Sequence, residues 1–406
     1  MKRLLGVVAL VVASFLFSLL LLELGVRLFV PAGYWTYRDL TFDWKVDPET
    51  GWVNAPDRDM TSRLLLGPVR YRTNPDGLIP AEARREKQPG VRRIMVFGDS
   101  MVVGRDLPQS DNYPARLQEL LRERGIQAEV INAGVLGYST DQALLLMERL
   151  LPLYQPEYVI FGSTSNDFGG NGTRSASGQS KPMFHLDASG RLDLTPPDPA
   201  TEIRRFTTGP RAWVQYSALY RAIQPRLFRM RANLGAWQQR LVLGVVDDLY
   251  VNPSSLERVD WKLFIALVAR MQEVSRVNGA QFLLIAHPEV GEVWEPYIER
   301  ICQQHQWPRK SYDPFAIEKR IRALSDRAMV PYLPLIARFA GHPERGPFHL
   351  LPFDGHFSAA GNQFLAEQLA DYLAQRLAPA PVQSLRQNTP EPSIGWIASA
   401  IPNFSR

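Results

Sequence analysis

The chain has 406 residues, of which 45% are hydrophobic and 21% charged, and this balance excludes disordered, collagen-like and coiled-coil proteins. Its one cysteine, Cys302, excludes an intrachain disulfide and a cysteine zinc site. The formal net charge of +5 is too small to indicate nucleic-acid binding by itself, so the distribution of charge matters more than its sum.

The N-terminus predicts a membrane anchor within residues 1–34. Lys2 and Arg3 precede an uncharged run from Leu4 to Leu22, which at about 1.5 Å per helical residue is long enough to cross a hydrocarbon core of about 30 Å. A cleaved signal peptide is the alternative, but its apolar region is usually shorter, and Pro31 makes a poor cleavage site. We expect a retained anchor, with Lys2 and Arg3 in the cytoplasm and the rest of the chain periplasmic or outside the cell.

The rest of the chain predicts an α/β fold. Residues 35–92 are rich in Pro, Gly, Asp and Arg and are predicted to be a connecting segment with a few strands. From residue 93, short apolar runs alternate with segments of helical period, which is typical of a parallel sheet covered by helices on both faces. Five parallel strands are predicted at residues 94–97, 128–132, 158–161, 281–286 and 330–333. Helices are predicted at about residues 114–124, 140–151, 256–277, 314–329 and 359–377.

Two stretches depart from this alternation. Residues 169–255 are predicted to be an insertion, and the proline-containing tail at 379–406 is predicted to be disordered. Between Ile203 and Val246 the insertion has no lysine and no acidic residue, and its arginines are at positions 204, 205, 211, 221, 226, 229, 231 and 240. One interpretation is a helical cap with solvated arginines; the other is a lid that contacts anionic lipid headgroups or an acidic polysaccharide. Asn171, Gly172 and Thr173 form a glycosylation sequon.

Polar residues follow each apolar run, at the carboxyl ends of the predicted strands, where open parallel sheets bind ligands. In chain order they are Asp99 and Ser100, Gly137, Asn166 and Asp167, His287, and Asp354 and His356. A hydroxyl nucleophile, an imidazole base, a carboxylate and donors for an oxyanion are the parts of an acyl-transfer site. Each motif also has a structural interpretation. Gly98-Asp99-Ser100 fits a turn that caps a helix, and Gly137 fits a glycine that a turn requires.

Apart from His287, these residues fall into four short blocks that resemble, in order and placement, those of the SGNH, or GDSL-type, hydrolase superfamily of esterases and lipases. The resemblance covers roughly residues 93–378, interrupted by the insertion, and its blocks are Gly98–Met101, Asn132–Thr140, Asn166-Asp167 and Asp354–Gly361. It implies a three-layer αβα fold of the flavodoxin-like type.

The resemblance also implies a role for each motif residue. Ser100 would be the nucleophile, His356 the general base and Asp354 the carboxylate that orients His356. The oxyanion hole would consist of the backbone N–H groups of Ser100 and Gly137 and the side-chain amide of Asn166.

One motif departs from the pattern of the superfamily. The usual spacing is Asp-x-x-His, whereas Asp354 here lies two residues before His356, as in related membrane-linked acetyl-transfer members. A backbone carbonyl that holds His356 is the alternative. Asp99 and His287 are candidate substrate contacts, and His287 also fits a structural histidine whose ring is satisfied by the protein.

The sequence therefore predicts a membrane-tethered serine esterase or O-acyltransferase that acts on ester-linked acyl groups, such as the O-acetyl groups of cell-envelope glycans. It predicts no cofactor, no metal and no nucleic-acid partner. Two alternatives stay open: a catalytically inactive module that binds an envelope polymer or a protein partner through the insertion, and a lipid esterase at the membrane surface. The acyl group, the acceptor and the oligomeric state are not predicted.

Overall fold

The computed structural model describes residues 2–30, 44–63, 68–176, 179–198, 217–223, 226–227, 230, 253–342, 348–350 and 355–377. The predicted tail, most of the arginine-rich stretch and Asp354 lie outside these residues.

The β-strands of the described residues are, in chain order, β1 (Trp44–Asp47), β2 (Gly51–Asn54), β3 (Asp59–Arg63), β4 (Pro68–Arg72), β5 (Arg92–Gly98), β6 (Ala128–Gly134), β7 (Tyr158–Ser163), β8 (Ser175–Ala176), β9 (Gln179–Ser180), β10 (Met183–Leu186), β11 (Leu192–Thr195), β12 (Gln281–Ala286) and β13 (Tyr332–Leu333). The α-helices are α1 (Lys2–Phe29), α2 (Ser100–Val103), α3 (Tyr113–Glu123), α4 (Thr140–Tyr154), α5 (Asn166–Gly170), α6 (Pro253–Arg258), α7 (Trp261–Val277), α8 (Val290–Val293), α9 (Glu295–His305), α10 (Ala316–Ala328), α11 (Ile336–Ala340) and α12 (Ala359–Leu377). A further short helical segment covers residues 218–223.

Five parallel strands form the central sheet, in the spatial order β13-β12-β7-β5-β6. Numbered along the chain, this is the flavodoxin-like order 2-1-3-4-5, whose direction of winding reverses between β5 and β7. The crevice at such a reversal, beyond the carboxyl ends of the strands, is where doubly wound sheets bind their ligands. The α/β fold and its five strands are confirmed.

Helices cover both faces of the sheet because the side chains of the strands alternate between two cores. Ile94 and Val96 of β5 pack with α3 and α12, whereas Met95 and Phe97 pack with α4, α7 and α10. All four of these β5 side chains are 0% exposed, so the strand is apolar on both faces, as a central strand between two helical layers requires.

Several elements differ from the sequence expectation, three of them in the second half of the chain. The helix predicted at 256–277 is divided into α6 and α7, because the side chain of Asp260 accepts a hydrogen bond from Leu263 N at 3.0 Å and begins a new helix. The strand predicted at 330–333 is shortened to β13, since Pro331 lacks an N–H, although its carbonyl accepts from Leu284 N. Helix α9 was not expected.

The connecting segment and the insertion contain antiparallel hairpins. In the connecting segment β1 pairs with β2 and β3 with β4, and in the insertion β8 pairs with β9 and β10 with β11. In the first hairpin, Asp47 accepts hydrogen bonds from Thr50 N and Thr50 Oγ1, both at 2.9 Å, and Gly51 has a φ of +85°. These features close the turn between β1 and β2.

Helix α1 is long and apolar enough to cross a membrane. Its segment Gly6–Phe29 has a mean hydropathy of 2.6 and none of it is buried. Length and composition alone do not separate an anchor from a signal sequence, which passes the same test near an N-terminus.

Candidate active site

Ser100 lies at the carboxyl end of β5, on a sharp strand-to-helix turn. Gly98 makes this turn with a φ of +152°, and a Cβ there would lie 2.5 Å from Gly162 O, so the turn requires glycine. Asp99 accepts a hydrogen bond from Met101 N at 2.9 Å and caps α2, whose first residue is Ser100. The hydroxyl of Ser100 is therefore fixed at the edge of the sheet.

His356 lies against Ser100, 256 residues further along the chain. Its Nε2 is 2.7 Å from Ser100 Oγ, which is hydrogen-bond distance for a nucleophile and its base. Two backbone bonds hold the segment of His356: Leu350 N donates to His356 O at 2.9 Å, and Ser358 N donates to Phe348 O at 2.8 Å. Asp354, the predicted partner of the other ring nitrogen, lies outside the described residues, so its role stays a prediction.

The predicted oxyanion donors converge on the same edge. The loop after β6 is tied to β5 because Val135 N donates to Gly98 O at 3.0 Å, and Gly137 follows two residues later with a φ of +74°. Among the described residues, no acceptor meets the backbone N–H of Gly137 or of Ser100. Unpaired donors at a strand-to-helix turn and a glycine turn are available to a developing oxyanion.

Asn166 is joined through Asp99 to the turn that carries Ser100. Its Nδ2 donates to Asp99 Oδ2 at 3.0 Å, and Thr164 Oγ1 lies 2.9 Å from the same oxygen and contacts Asn166 Oδ1. Because one N–H of the amide is fixed in this way, the orientation of its second N–H is fixed as well. Asp99 is 4% exposed and accepts from three donors, so its carboxylate contacts the protein and not the open side of the site.

A family model for the GDSL-like lipase/acylhydrolase family matches residues 96–364, about two thirds of the chain. The chain belongs to this family. The hydrolase class that the sequence predicted is thereby confirmed at the level of the family. The finer predictions, for the anchor and for the substrate, are taken up below.

Individual relatives are more distant. The chain is 31% identical to an arylesterase of Vibrio mimicus over 75 residues, which is 18% of this chain and 38% of the arylesterase. Among solved structures, the psychrotrophic esterase EstA from Pseudoalteromonas sp. is 12% identical, with 71% of this chain and 100% of that chain covered and a TM-score of 0.37. The lipase/acylhydrolase from Enterococcus faecalis is 14% identical, with 70% and 96% covered and a TM-score of 0.36.

His287 of this GDSL-like protein is buried beside the site. It is 2% exposed, with Nδ1 at 3.1 Å from Ser163 O and Nε2 at 3.2 Å from Tyr113 Oη. A Cβ on Gly162 would lie 2.3 Å from the His287 ring, so the absence of a side chain there makes room for the imidazole. Burial lowers the pKa of His287 to about 4. Both nitrogens have protein partners, which leaves none for a substrate.

Asp167 supports the turn that carries Asn166. It is 3% exposed and accepts hydrogen bonds from Ser163 Oγ at 2.9 Å and Thr164 N at 2.8 Å. Burial, and then the negative charge of Asp99, raise the pKa of Asp167 to about 8. The carboxyl of Asp167 is therefore mainly protonated at neutral pH.

The hairpins of the connecting segment hold the Gly137 loop from one side. Trp52 Nε1 donates to Leu136 O at 3.1 Å, and Tyr138 Oη donates to Trp52 O at 2.5 Å. Asn54 Nδ2 donates to Gly134 O at 2.9 Å. Sequence reasoning missed these residues, because a tryptophan and an asparagine in a turn-rich segment show no pattern that links them to a loop some 80 residues away.

A buried ion pair holds the start of α4, which follows the Gly137 loop, from the insertion side. Lys181 and Asp141 are both 0% exposed and in direct contact, and Lys181 Nζ also donates to Gly170 O at 2.9 Å. Burial raises the pKa of Asp141 to about 6 even though the Lys181 charge opposes that shift. The first part of the insertion is thus attached to α4, the helix that follows the Gly137 loop.

The sequon at Asn171 lies in the same buried region. Asn171 is 3% exposed and its Nδ2 donates to Thr140 Oγ1 at 3.1 Å. The folded protein therefore does not present this asparagine for glycosylation.

A small pocket adjoins the site on the β12 side, and acidic side chains line part of it. Glu289 accepts from Ser165 N at 2.9 Å, and Glu318 accepts from Leu335 N at 2.9 Å. Burial raises the pKa of Glu289. Among the described residues, no group of three or more His, Cys, Asp or Glu side chains is placed to hold a metal ion.

Proposed function

We propose that the chain is a membrane-tethered serine esterase or O-acyltransferase in which Ser100 and His356 carry out acyl transfer. The contact of 2.7 Å between Ser100 Oγ and His356 Nε2 supports this proposal. It lies at the reversal of winding between β5 and β7, where this type of sheet binds its ligands.

The residues would act in two half-reactions. His356 Nε2 takes the proton of the Ser100 hydroxyl as Oγ attacks the ester carbonyl, and the oxyanion meets the N–H groups of Ser100 and Gly137 and the amide of Asn166. When the intermediate collapses, the bond to the alcohol breaks, His356 returns the proton to the leaving oxygen, and an acyl ester remains on Ser100. Water, or a sugar hydroxyl, then attacks this ester by the same route, so hydrolysis and transfer differ only in the acceptor.

The proposed location and substrate rest on α1. A helix at the N-terminus with Lys2 and Arg3 before it would leave the sheet on the outer side of the membrane. Ester groups accessible there include the O-acetyl groups of cell-envelope glycans, and we propose these as the substrate class. A catalytically inactive binding module is disfavoured, because binding alone would not require a paired hydroxyl and imidazole beside two backbone N–H groups that no acceptor among the described residues meets.

The decisive experiment measures turnover of an activated acetyl ester by the full chain. We expect Ser100→Ala to abolish turnover, because the nucleophile is lost, while Ser110→Ala, at an exposed serine in a nearby turn, keeps the wild-type rate. A fluorophosphonate should label the wild type at Ser100. Wild-type turnover by Ser100→Ala, or labelling elsewhere in the chain, would rule out the mechanism.

A further inference from the structure

The backbone of His356 is paired with a neighbouring segment, residues 348–350. His349 and Phe357 form an antiparallel bridge, and Leu350 N donates to His356 O at 2.9 Å. Because the base and this segment are joined through their backbones, the position of the segment determines where the imidazole of His356 lies.

The side chain of His349 attaches this segment to the loop after β12, an inner strand of the sheet. His349 is 2% exposed, and its Nε2 lies 3.0 Å from Pro288 O. A carbonyl oxygen can only accept, so Nε2 carries the proton and donates to it. Burial lowers the pKa of His349 to about 4, so the ring is neutral at neutral pH and has this one N–H.

Phe357, the residue after His356, packs against the same histidine. Its ring centroid lies 5.1 Å from that of His349, 6.0 Å from that of His287 and 5.6 Å from that of Phe339. These three rings belong to the 348–350 segment, the loop after β12 and α11. Phe357 is 2% exposed, so rings of three different segments fix the residue next to the base.

Asn362, in the first turn of α12, holds the other end of the base segment. It is 1% exposed, and its Nδ2 donates to Ser358 O at 3.1 Å. Its Oδ1 accepts from Tyr113 N at 2.9 Å. The base segment is therefore attached to α3 through Asn362 and to the loop after β12 through His349.

We propose that His349 is a positioning residue of the general base: its hydrogen bond to Pro288 O and its contact with Phe357 hold the segment that places His356 Nε2 at 2.7 Å from Ser100 Oγ. This inference rests on the proposed function and deepens it. It assigns the placement of the base in part to a residue that precedes the Asp354–Gly361 motif.

The position of a general base affects the rate of the chemical step more than the binding of substrate. A displacement of about 1 Å between reacting groups can reduce the rate about 10²-fold. His356 takes the proton of Ser100 as the ester is attacked, so a displaced imidazole lowers kcat and leaves KM nearly unchanged.

Three substitutions of His349 separate its donor from its shape. In His349→Gln the amide nitrogen occupies the position of Nε2 and can donate to Pro288 O. In His349→Asn the amide nitrogen corresponds to Nδ1, one bond nearer the main chain, and His349→Leu has no donor.

The experiment measures turnover of an activated acetyl ester by the full chain, per folded molecule as determined by circular dichroism. We expect kcat of His349→Asn and His349→Leu to fall about 10²-fold, with KM within about twofold of the wild type. His349→Gln should keep at least about one third of the wild-type kcat. The pH profile of kcat in His349→Asn should keep its place on the pH axis, because the position of the base changes and its charge does not.

Leu121→Ala is the control for a loss of stability alone. Leu121 is 0% exposed, lies near the end of α3 and packs in the same core as Phe357. This variant should unfold at a lower urea concentration and keep the wild-type kcat per folded molecule. If His349→Leu does not fold, the comparison of His349→Gln with His349→Asn decides.

Equal kcat in His349→Gln and His349→Asn, or wild-type kcat in His349→Leu, overturns the inference and leaves the proposed function intact. A displaced pH profile with an unchanged maximum also overturns it, because His349 would then act on the charge of His356. A rise in KM at constant kcat would assign His349 to substrate binding instead. Turnover that persists in Ser100→Ala contradicts the proposed function itself.

Discussion

Exposure separates the candidate reacting residues from the residues that support them. Ser100, Gly137 and His356 are half-buried and Asn166 is exposed, so all four reach the open side of the site. Asp99, Thr164 and Asp167, which hold the turn of Asn166, are buried, as is His287 beside them. Groups that meet substrate must be accessible, whereas groups that fix orientation work best where water does not compete.

Asn166→Ala tests the third oxyanion donor. The donor acts on charge that develops in the transition state, so we expect kcat on an activated acetyl ester to fall about 10² to 10³-fold, with little change in KM. Steady-state kinetics measures both constants. Asn278→Ala, at the end of α7 on the opposite edge of the sheet, should leave both unchanged. A rise in KM at constant kcat would assign Asn166 to ground-state binding instead.

Asp167→Asn tests the buried carboxyl through the pH dependence of stability. The folded pKa of about 8 lies above the ordinary value of 3.8, so the contribution of the protonated group is fully present below that ordinary value and is lost as pH rises through about 8. We therefore expect the wild type to lose unfolding free energy between about pH 4 and 8 relative to Asp167→Asn, which cannot ionise. Urea unfolding at both pH values measures the difference.

The control for this prediction is Asp326→Asn, at an exposed position of α10. It shows the effect of removing an exposed carboxylate from a helix under the same conditions. A pH-independent difference between the wild type and Asp167→Asn would mean that the Asp167 carboxyl ionises as easily in the folded protein as in the unfolded chain.

The site residues could be predicted where a motif of the superfamily directly follows a predicted strand. Ser100, Gly137, Asn166 and His356 each follow an apolar run, and the structure brings the loops that carry them to one edge. For His287 the sequence allowed two interpretations, a substrate contact and a structural histidine, and the structure agrees with the second; its actual partners, Tyr113 and the room above Gly162, could not be predicted. Sequence order contains no information on either contact.

Among the secondary-structure elements, the start of α4 depends on the pair Lys181–Asp141. Replacing Lys181 with Met leaves Asp141 buried without its cation, and we expect a loss of about 3–5 kcal/mol of unfolding free energy. The double variant Lys181→Met with Asp141→Asn leaves neither charge of this pair buried without its partner, so it should lose less unfolding free energy than Lys181→Met alone. Denaturant unfolding measures both, and an equal loss in the two variants would show that packing, not charge, explains the effect.

Helices and strands were predictable where the hydrophobic period agrees with the residues that typically begin or end such an element. Helix α3 begins after Asn112, which accepts from Ala115 N at 2.9 Å, and ends before a glycine, Gly125, close to its expected bounds. Helix α9 was missed because Pro296 in its first turn resembles a loop signal, although proline is favoured at that position. The β8–β9 hairpin of the insertion was missed because its strands have two residues each, too few to show an alternating pattern.

For the whole molecule, the anchor prediction has a direct test. If α1 is a retained anchor, we expect the full chain to stay with membranes at high salt and alkaline pH and to be released only by detergent, because a helix of this length and hydropathy can cross the bilayer. Mass spectrometry of the extracted protein should find residues 1–30 intact. A soluble protein that begins after about residue 30 would identify α1 as a cleaved signal peptide.

Ser100 and His356 are 256 residues apart in the sequence, and this separation has a consequence for the biosynthesis of the protein. A ribosome that has made five sixths of the polypeptide has not yet added His356, so the growing chain carries the proposed nucleophile without its proposed base. If the chain is exported as it is made, the two meet only on the far side of the bilayer. Acyl esters of the cytosol would then never encounter a competent enzyme, and no inhibitory propeptide would be needed to spare them.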